Sequence, residues 1–407
     1  MADHKIKLDS GAAALLDALH GAGYAAYAVG GCVRDSLLGL TPHDWDLCTS
    51  ALPRQVLDRF GKEQCIPTGL QHGTVTVKYG GKLYETTTFR TEGSYSDGRH
   101  PDSVAFVPDV KEDLARRDFT INAMAYNEKE GLVDPFGGQA DLQSGIVRAV
   151  GVPRQRFTED ALRILRLYRF AARFGFAIDP PTAQAAQELC AHLDCVSVER
   201  IEEELAKLLS APAPAAYLDK KILLVILPEL SSEALAAAKP VVDACPAGEQ
   251  ALPVRLAALL LSLGEDGIRR TLKRLRCSNA LIEEAAVLVR EAVPGVPVSL
   301  NIYARKLLGQ YDLKTVQRIA ALGTALQPER AADFATLSEL AEQLDADGVC
   351  CRVSQLAVNG RDLMAAGVPA GPGIRKVLEA LLDGVIREEY PNERQALLAA
   401  VQQLAAS

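Results

Sequence analysis

Two aspartates, Asp44 and Asp46, stand one residue apart in the stretch Asp-Trp-Asp-Leu. In an extended strand, alternate side chains point to the same face of the sheet, so this spacing predicts two neighbouring carboxylates. Such a pair is costly unless a cation neutralises it, and its oxygen ligands suit Mg²⁺ together with water and substrate phosphates. Two metal ions held there could activate an attacking hydroxyl group and stabilise a leaving phosphate oxygen. We predict that Glu85, on a strand of the same sheet, is a third catalytic carboxylate.

An isolated Asp-x-Asp motif is also compatible with an ordinary solvated turn, so its surroundings matter. A glycine pair, Gly30-Gly31, follows a predicted strand and opens a predicted helix upstream of the two aspartates. Glycine lets backbone amides approach a phosphate closely, and the N-terminus of a helix favours anions. Arg34 could then bind a triphosphate through two hydrogen bonds. Together with the acidic pair, this turn predicts a site for a nucleoside triphosphate.

A second polar cluster lies in the run Arg-Arg-Asp-Phe-Thr-Ile-Asn-Ala over residues 116–123. We predict that it stands at the start of a helix, where the two arginines and Asp118 could bind phosphates and a ribose hydroxyl. The alternative is a helix-capping ion pair with no ligand.

A third cluster, Glu-Asp-x-x-Arg-x-x-Arg, begins at Glu159 and has helical spacing. Asp160 and Arg163 are three residues apart, so they are predicted to share a helix face, with Arg166 and Arg169 further along the segment. A carboxylate accepts from an exocyclic amine while a guanidinium donates to a ring acceptor. Cytosine and adenine present that pair of groups, whereas guanine and uracil present a carbonyl beside a ring N–H. The segment therefore predicts selection of CTP and ATP without a nucleic acid template, or else a salt-bridged surface helix.

These three motifs, in this order, resemble those of class II tRNA nucleotidyltransferases and bacterial poly(A) polymerases, which belong to the polymerase β superfamily. The resemblance is strong over residues 24–210 and weaker beyond, through Val358–Leu363 and Gly371–Gly373. It implies that Asp44 and Asp46 bind the catalytic metal, Mg²⁺. It also implies a nucleotide-binding role for a larger set: Gly30, Gly31, Arg34, Arg117, Asp118, Asn122, Asp160, Arg163, Arg166 and Arg169.

The activity that the resemblance implies is addition of CCA to the 3′ end of tRNA from CTP and ATP, with release of pyrophosphate. Other possibilities stay open: a poly(A) polymerase, which usually carries a basic C-terminal extension not found here, or a partial enzyme that adds only A or only CC. A tRNA-binding module without activity is an alternative of another class. A metal phosphohydrolase would need histidine-rich ligation, and the chain has six histidines.

The elements that must position these residues change character along the chain. The first third alternates strand-like and helix-like patterns, including a hairpin with a Gly80-Gly81 turn, and a Gly- and Ser-rich stretch over 91–103 predicts a mobile loop. The remainder is rich in alanine and leucine with helical periodicity. We therefore predict an α+β protein with a mixed-sheet nucleotidyltransferase head followed by helices. The predicted divisions are a head over 1–151, a neck over 152–210, a body over 211–305 and a tail over 306–407.

The composition of the 407 residues limits the partners and the compartment. The net charge of −8 argues against wholesale coating of nucleic acid, yet a local basic groove remains possible. We predict that such a groove for tRNA includes four residues of one basic run: Arg269, Arg270, Lys273 and Arg274. Nine cysteines without a Cys-x-x-Cys pair, a polar N-terminus and no long apolar run predict a cytoplasmic protein without a membrane segment. Either a monomer or a homodimer fits these observations.

Overall fold

A computed structural model describes residues 6–93, 103–297 and 299–404. The chain divides into two compact units, Met1–Pro228 and Glu229–Ser407. The first unit combines a mixed sheet with helices, and the described part of the second is helical. The predicted α+β class is therefore confirmed.

The strands of the first unit share a short length. Those in its described residues are β1 (Ala26–Val29), β2 (Leu47–Thr49), β3 (Cys65–Gly69), β4 (Thr74–Tyr79), β5 (Lys82–Thr88), β6 (Arg90–Glu92), β7 (Val104–Phe106), β8 (Ala125–Asn127), β9 (Gly131–Val133), β10 (Ile146–Val147) and β11 (Ala177–Ile178).

The main sheet has the order β3-β4-β5-β2-β1-β8-β9. Strands β2 and β5 run parallel, and the other neighbouring pairs are antiparallel. The predicted hairpin is confirmed as β4 and β5, whose two-residue turn places Gly80 and Gly81 at φ 56° and 79°. Glycine adopts this left-handed conformation without steric cost, which explains the pair. The topology places β1, β2 and β5 side by side, and these strands carry or adjoin the acidic residues.

The helices of the first unit flank this sheet and then form a helical extension. They are α1 (Ser10–Gly21), α2 (Gly31–Leu37), α3 (Pro53–Phe60), α4 (Val110–Ala115), α5 (Gly138–Ser144), α6 (Pro153–Glu159), α7 (Leu162–Phe174), α8 (Pro180–Leu189), α9 (Val198–Leu209) and α10 (Lys220–Ile226). One face of the sheet packs on α4 through a buried cluster that includes Tyr27, Val29, Phe89 and Leu114. This core fixes the ends of β1 and β2, where the candidate site lies.

The second unit contains α11 (Ser232–Ala244), α12 (Leu252–Leu260), α13 (Gly264–Arg274), α14 (Asn279–Ala292), α15 (Leu300–Gln310), α16 (Leu313–Leu326), α17 (Ala331–Ala346), α18 (Gly360–Ala365), α19 (Gly373–Ile386) and α20 (Arg394–Leu404). Its C-terminal helices α18, α19 and α20 share a core in which Leu363, Leu381 and Leu397 are fully buried. Among the described helices, none is long and apolar enough to cross a membrane.

Two details of the predicted architecture were wrong. The stretch predicted as a loop over 91–103 begins inside β6, which pairs with β7 as a short antiparallel hairpin; residues 94–102 lie outside the described residues. The helical neck is interrupted by β11, which pairs in parallel with β10 of the head. In both places two or three residues of backbone pairing were too short to leave a periodic pattern in the sequence.

Candidate active site

Asp44 and Asp46 lie immediately before β2, rather than within it as predicted. Both are exposed, whereas Trp45 between them is buried, so the alternation expected of extended backbone is present. The amide of Val29 donates to the carbonyl oxygen of Asp46 at 2.9 Å, which continues the pairing with β1 up to this residue. This pattern of exposure is the one expected for two carboxylates on the same side of the sheet edge, which stays a prediction.

Glu85 is an exposed residue of β5, flanked by buried Tyr84 and Thr86. Because Leu47 is in register with Thr86 across the parallel pair, Asp46 is adjacent to Glu85 at the same level of the sheet. Although Asp46 is exposed as a whole residue, the protein around it displaces water from its carboxylate and raises its pKa. The negative charges of Glu85 and Asp44 also raise this pKa, while the charge of Arg117 lowers it. The charges of Asp44, Glu85 and Arg117 are therefore all close enough to act on the carboxylate of Asp46.

The glycine turn adjoins this acidic group. Gly30 ends β1 and caps α2 with φ 77° and ψ −122°, a conformation that L residues rarely adopt. A Cβ atom at Gly30 would lie 2.8 Å from Nη1 of Arg117, so the absent side chain leaves room for that guanidinium. At Gly31 the nearest atom, Nη2 of Arg34, would be 3.7 Å away. The turn thus brings the free amides of a helix N-terminus and an arginine close to the carboxylates.

Arg34 is directed into the protein, with only 4% of the residue exposed. Its Nε donates to Oδ1 of Asp35 at 2.7 Å and its Nη1 donates to Oδ1 of Asn122 at 2.5 Å. The guanidinium lies 5.1 Å and 5.0 Å from the ring centres of Phe170 and Phe174 on α7, which are favourable cation–π distances. In this conformation Arg34 joins head to neck, and its contact with a triphosphate stays a prediction.

Asp118 stands between α4 and a single 3-10 turn, Thr120–Asn122, so the predicted helix start was wrong. Its buried carboxylate accepts from the amide of Phe119 at 2.8 Å and from Nδ2 of Asn122 at 3.1 Å. Nε and Nη2 of Arg166 donate to its other oxygen at 2.9 and 2.6 Å. Burial alone would raise the pKa of Asp118, but the charge of Arg166 and these hydrogen bonds hold it well below its usual range. Asp118 is therefore a fixed anion at neutral pH.

The prediction that Asp160 and Arg163 share a helix face was wrong. Helix α6 ends at Glu159, Asp160 is extended (φ −146°, ψ 104°), and α7 begins at Leu162. Oδ1 of Asp160 accepts from the amide of Leu162 at 3.0 Å, and Oδ2 accepts from Nη2 of Arg200 at 2.7 Å. The carboxylate is therefore held by a local turn and by a partner on α9.

Arg163 has partners of its own. Its Nη1 donates to Oε2 of Glu159 at 2.7 Å, and its Nη2 donates to the carbonyl oxygen of Arg116 at 3.1 Å. Further along α7, Nε of Arg169 lies 2.7 Å from Oε2 of buried Glu204, and burial lowers the pKa of Arg169 to about 10. Of the four predicted neck residues, Asp160 thus lies just before α7 and the three arginines lie in its first eight residues, and each is held by contacts within the protein.

Comparison with known proteins identifies the family. Residues 26–148 match the family described as the poly A polymerase head domain, and residues 254–401 match tRNA nucleotidyltransferase domain 2. The curated CCA-adding enzyme of Limosilactobacillus fermentum is 38% identical over 398 residues, which cover 96% of each chain. The one from Geobacillus kaustophilus is 36% identical over 93% of this chain and 92% of its own. This chain belongs to the CCA-adding enzyme family.

Solved structures agree with this assignment. The Bacillus stearothermophilus CCA-adding enzyme in complex with CTP matches with a TM-score of 0.83 and 33% identity, over 97% of both chains. The Thermotoga maritima CCA-adding enzyme complexed with tRNA-CCA has a TM-score of 0.68 at 22% identity, over 96% of this chain and 94% of that one, and shows a shared fold. The resemblance stated from the three motifs is confirmed.

The family of CCA-adding nucleotidyltransferases requires a divalent metal ion, and the donors at the sheet edge fit one. Among the residues that the structure describes, no three His, Cys, Asp or Glu side chains converge closely enough to cage an ion by themselves. A hard cation such as Mg²⁺ needs only one or two carboxylates when water and substrate phosphates complete its shell. Loss of solvation and, to a smaller extent, repulsion from Glu85 and Asp44 raise the pKa of Asp46, and a bound cation would stabilise the charged carboxylate against both.

The sequence did not assign Arg200 and Glu204, although both belong to a run that resembles the neck of CCA-adding enzymes. Arg200 binds Asp160, and Glu204 binds Arg169 while also lying 3.7 Å from Nη1 of Arg166. Their positions in the first and second turns of an amphipathic helix showed only that they share a face. Which residue each one contacts depends on how α9 packs against α7, and no local pattern encodes that.

The predicted basic run on α13 is only partly available to a ligand. Arg269 pairs with Glu265 and Glu283, and Arg274 pairs with Glu229 through two contacts of 2.6 and 2.8 Å. Arg270 and Lys273 are exposed one turn apart on the same helix face. Those two side chains are the better candidates for contact with tRNA.

Proposed function

We propose that this protein is a CCA-adding enzyme that extends the 3′ end of tRNA with C, C and A from CTP and ATP, releases pyrophosphate, and needs no nucleic acid template. The observation that carries the proposal is the match of this chain to CCA-adding enzymes over nearly its whole length. The negative charges of Glu85 and Asp44, which act on the carboxylate of Asp46, support the catalytic assignment. The reaction is attack of the tRNA 3′-hydroxyl on the α-phosphate of the bound nucleotide.

Asp44 and Asp46 would hold Mg²⁺, with Glu85 adding negative charge beside them. When bound, the metal supplies charge neutralisation for the attacking hydroxyl, the α-phosphate and the leaving pyrophosphate. The chain's own residues would position the triphosphate. The amide of Gly31 at the N-terminus of α2 would donate to it, whereas the Gly30 amide already donates to the carbonyl oxygen of Met124 at 3.1 Å. The guanidinium of Arg117, close to Gly30, would add positive charge. The catalytic contribution of these residues is orientation and electrostatic stabilisation.

The nucleoside would be recognised by the residues between the head and α7. Asp118 is a fixed anion that would accept from a ribose hydroxyl in exchange for one of the four hydrogen bonds that it accepts in this structure. Asp160 would accept from the exocyclic amine of cytosine or adenine, and Arg163 would donate to the adjacent ring nitrogen. Guanine and uracil would place a carbonyl against Asp160 and an N–H against Arg163, so both would be repelled. Arg166 and Arg169 complete the positive lining.

For tRNA, we propose that helices of the second unit contact the sugar–phosphate backbone, with Arg270 and Lys273 among the contacts. In this scheme the predicted body, 211–305, and tail, 306–407, bind tRNA, whereas the neck, 152–210, reads the base and the head, 1–151, catalyses transfer. A cytoplasmic location, where tRNA is used, is part of the same proposal.

A direct test incubates the purified protein and Mg²⁺ with tRNA lacking its 3′ CCA, and with CTP and ATP singly and together. We expect CC with CTP alone, and CCA with both nucleotides. Asp46→Ala should abolish extension, whereas the control Asp17→Asn, an exposed aspartate on α1, should retain it. A long A tail would favour the poly(A) polymerase. Products that end in CC when both nucleotides are present would favour a partial enzyme, and a lack of any extension would favour a tRNA-binding module.

A further inference from the structure

The carboxylate of Asp160 depends on a distant residue for its orientation. Asp160 occupies the non-helical break between α6 and α7, so the regular packing of a helix does not fix its side chain. Two groups hold the carboxylate, namely the Leu162 amide at 3.0 Å on one oxygen and Nη2 of Arg200 at 2.7 Å on the other. Of these, only the guanidinium carries an opposite charge, so its contact adds Coulomb attraction that the neutral amide does not supply.

The geometry leaves the carboxylate able to accept another donor. An ionised carboxylate has about four lone-pair sites, and these two contacts use one on each oxygen. Arg163 contacts Glu159 and the carbonyl oxygens of Arg116 and Arg156, and its five N–H groups leave further donors for a base. Asp160 and Arg200 are each partly shielded, with 15% and 22% of their side chains exposed, so solvent weakens the pair only in part.

We propose that Arg200 is a positioning residue for nucleotide selection: it orients the Asp160 carboxylate so that the remaining lone pairs face the exocyclic amine of the incoming base. This inference rests on the proposed function, in which Asp160 accepts from that amine. Arg200 lies on α9, whereas Asp160 lies in the break between α6 and α7. In this proposal Arg200 affects the nucleotide only by orienting the carboxylate of Asp160. Its contribution therefore depends on whether the base carries the amine.

That dependence gives a test that separates positioning from general support of the fold. The experiment measures kcat/KM for addition of CTP, and of the pyrimidin-2-one ribonucleoside triphosphate that lacks the 4-amino group, to tRNA lacking its CCA. The variants are Arg200→Gln, Arg200→Lys and, as a control, Arg154→Gln, which breaks an exposed ion pair with Glu188 on the same helical extension. Thermal unfolding of each variant is recorded alongside.

For Arg200→Gln we expect kcat/KM with CTP to fall about 10- to 100-fold, the range for losing a hydrogen bond to a charged group. With the analogue, kcat/KM should stay within about 2-fold of the wild type, because no amine is there to be oriented. Arg200→Lys should recover part of the loss with CTP, since lysine keeps the charge but not the planar donor geometry. Arg154→Gln should behave as wild type with both nucleotides.

An equal loss with CTP and with the analogue would overturn the inference, because a distorted fold or a displaced α9 affects both substrates alike. Full activity of Arg200→Gln with CTP would also overturn it. Failure of the proposed function itself looks different: the wild-type protein would then extend tRNA with neither nucleotide.

Discussion

Replacement of Asp118 by asparagine tests the buried network that joins head and neck. The carboxylate accepts four hydrogen bonds, two of them from the guanidinium of Arg166. Asparagine keeps an oxygen for the Phe119 amide, but its NH₂ group would confront donors of Arg166. Breaking a buried ion pair by removing one partner costs about 3–5 kcal/mol. We expect the lower end, about 3 kcal/mol, because a third of the Arg166 side chain is exposed and Glu204 lies 3.7 Å from it.

The loss should depend on pH in a direction fixed by the network. The folded-state pKa of Asp118 lies well below its unfolded value of about 4, so its contribution is fully present above pH 4. It declines as pH falls towards the folded-state pKa, by about 1.4 kcal/mol per pH unit. The wild type and Asp118→Asn should therefore differ in free energy of unfolding by about 3 kcal/mol at pH 7 and by less at pH 3.

Urea unfolding followed by circular dichroism at pH 7, 5 and 3 measures this difference. In thermal scans at pH 7, about 3 kcal/mol corresponds to a decrease in Tm of about 6–12 °C for a unit of this size. The control is Glu203→Gln, which removes an exposed ion pair with Lys207 on α9 and should change stability by less than about 1 kcal/mol. An Asp118→Asn protein as stable as the wild type at pH 7, or a deficit that stays constant down to pH 3, would refute the reasoning.

Three further predictions address the metal, the glycine turn and the tRNA surface. Asp46→Asn should lower kcat at least about 100-fold, because it removes a carboxylate proposed to hold the metal. Its Tm should be unchanged or higher, because the raised pKa of Asp46 means that the folded protein disfavours the charge, and a lower Tm would contradict this. Gly30→Ala should lower the free energy of unfolding in urea by about 1–3 kcal/mol, since φ is 77° and the new Cβ would lie 2.8 Å from a guanidinium nitrogen of Arg117. The control Gly31→Ala should be tolerated, and an equal loss of stability in the two variants would count against this reasoning. Arg270→Ala combined with Lys273→Ala should weaken tRNA binding in filter assays and reduce the slope of log K against log salt by up to about 2, and an unchanged slope would exclude both as phosphate contacts.

The sequence predicted those parts of the site that depend on local geometry. The Asp44–Asp46 spacing correctly predicted that exposed and buried residues alternate here, because alternation in extended backbone is a local property, and it persists just outside β2. The Gly80-Gly81 pair gave the hairpin because a two-residue turn needs positive φ at both positions. Glu85 followed from the hairpin, since it required only that its strand join the same sheet.

The parts that depend on tertiary contacts were not predictable in the same way. Nothing in the run from Glu159 to Arg163 resembles a helix break, yet Asp160 leaves the helix, with one oxygen on a local amide and the other on Arg200. Arg34 was predicted to bind a triphosphate, but no local pattern showed that its guanidinium also packs against two phenylalanines of α7. Likewise, the sequence indicated a uniform basic patch on α13, but Glu283 and Glu229 form ion pairs with Arg269 and Arg274 of that run.

The central claim is that Asp44 and Asp46 hold a divalent metal ion against a nucleoside triphosphate seated on the Gly30-Gly31 turn. The most direct measurement is anomalous diffraction from crystals of the protein soaked with CTP and Mn²⁺, in place of Mg²⁺. The account predicts an anomalous peak within about 2.5 Å of both carboxylates, with the triphosphate between it and Arg117. A metal peak away from these two aspartates, or CTP bound far from the glycine turn, would contradict it.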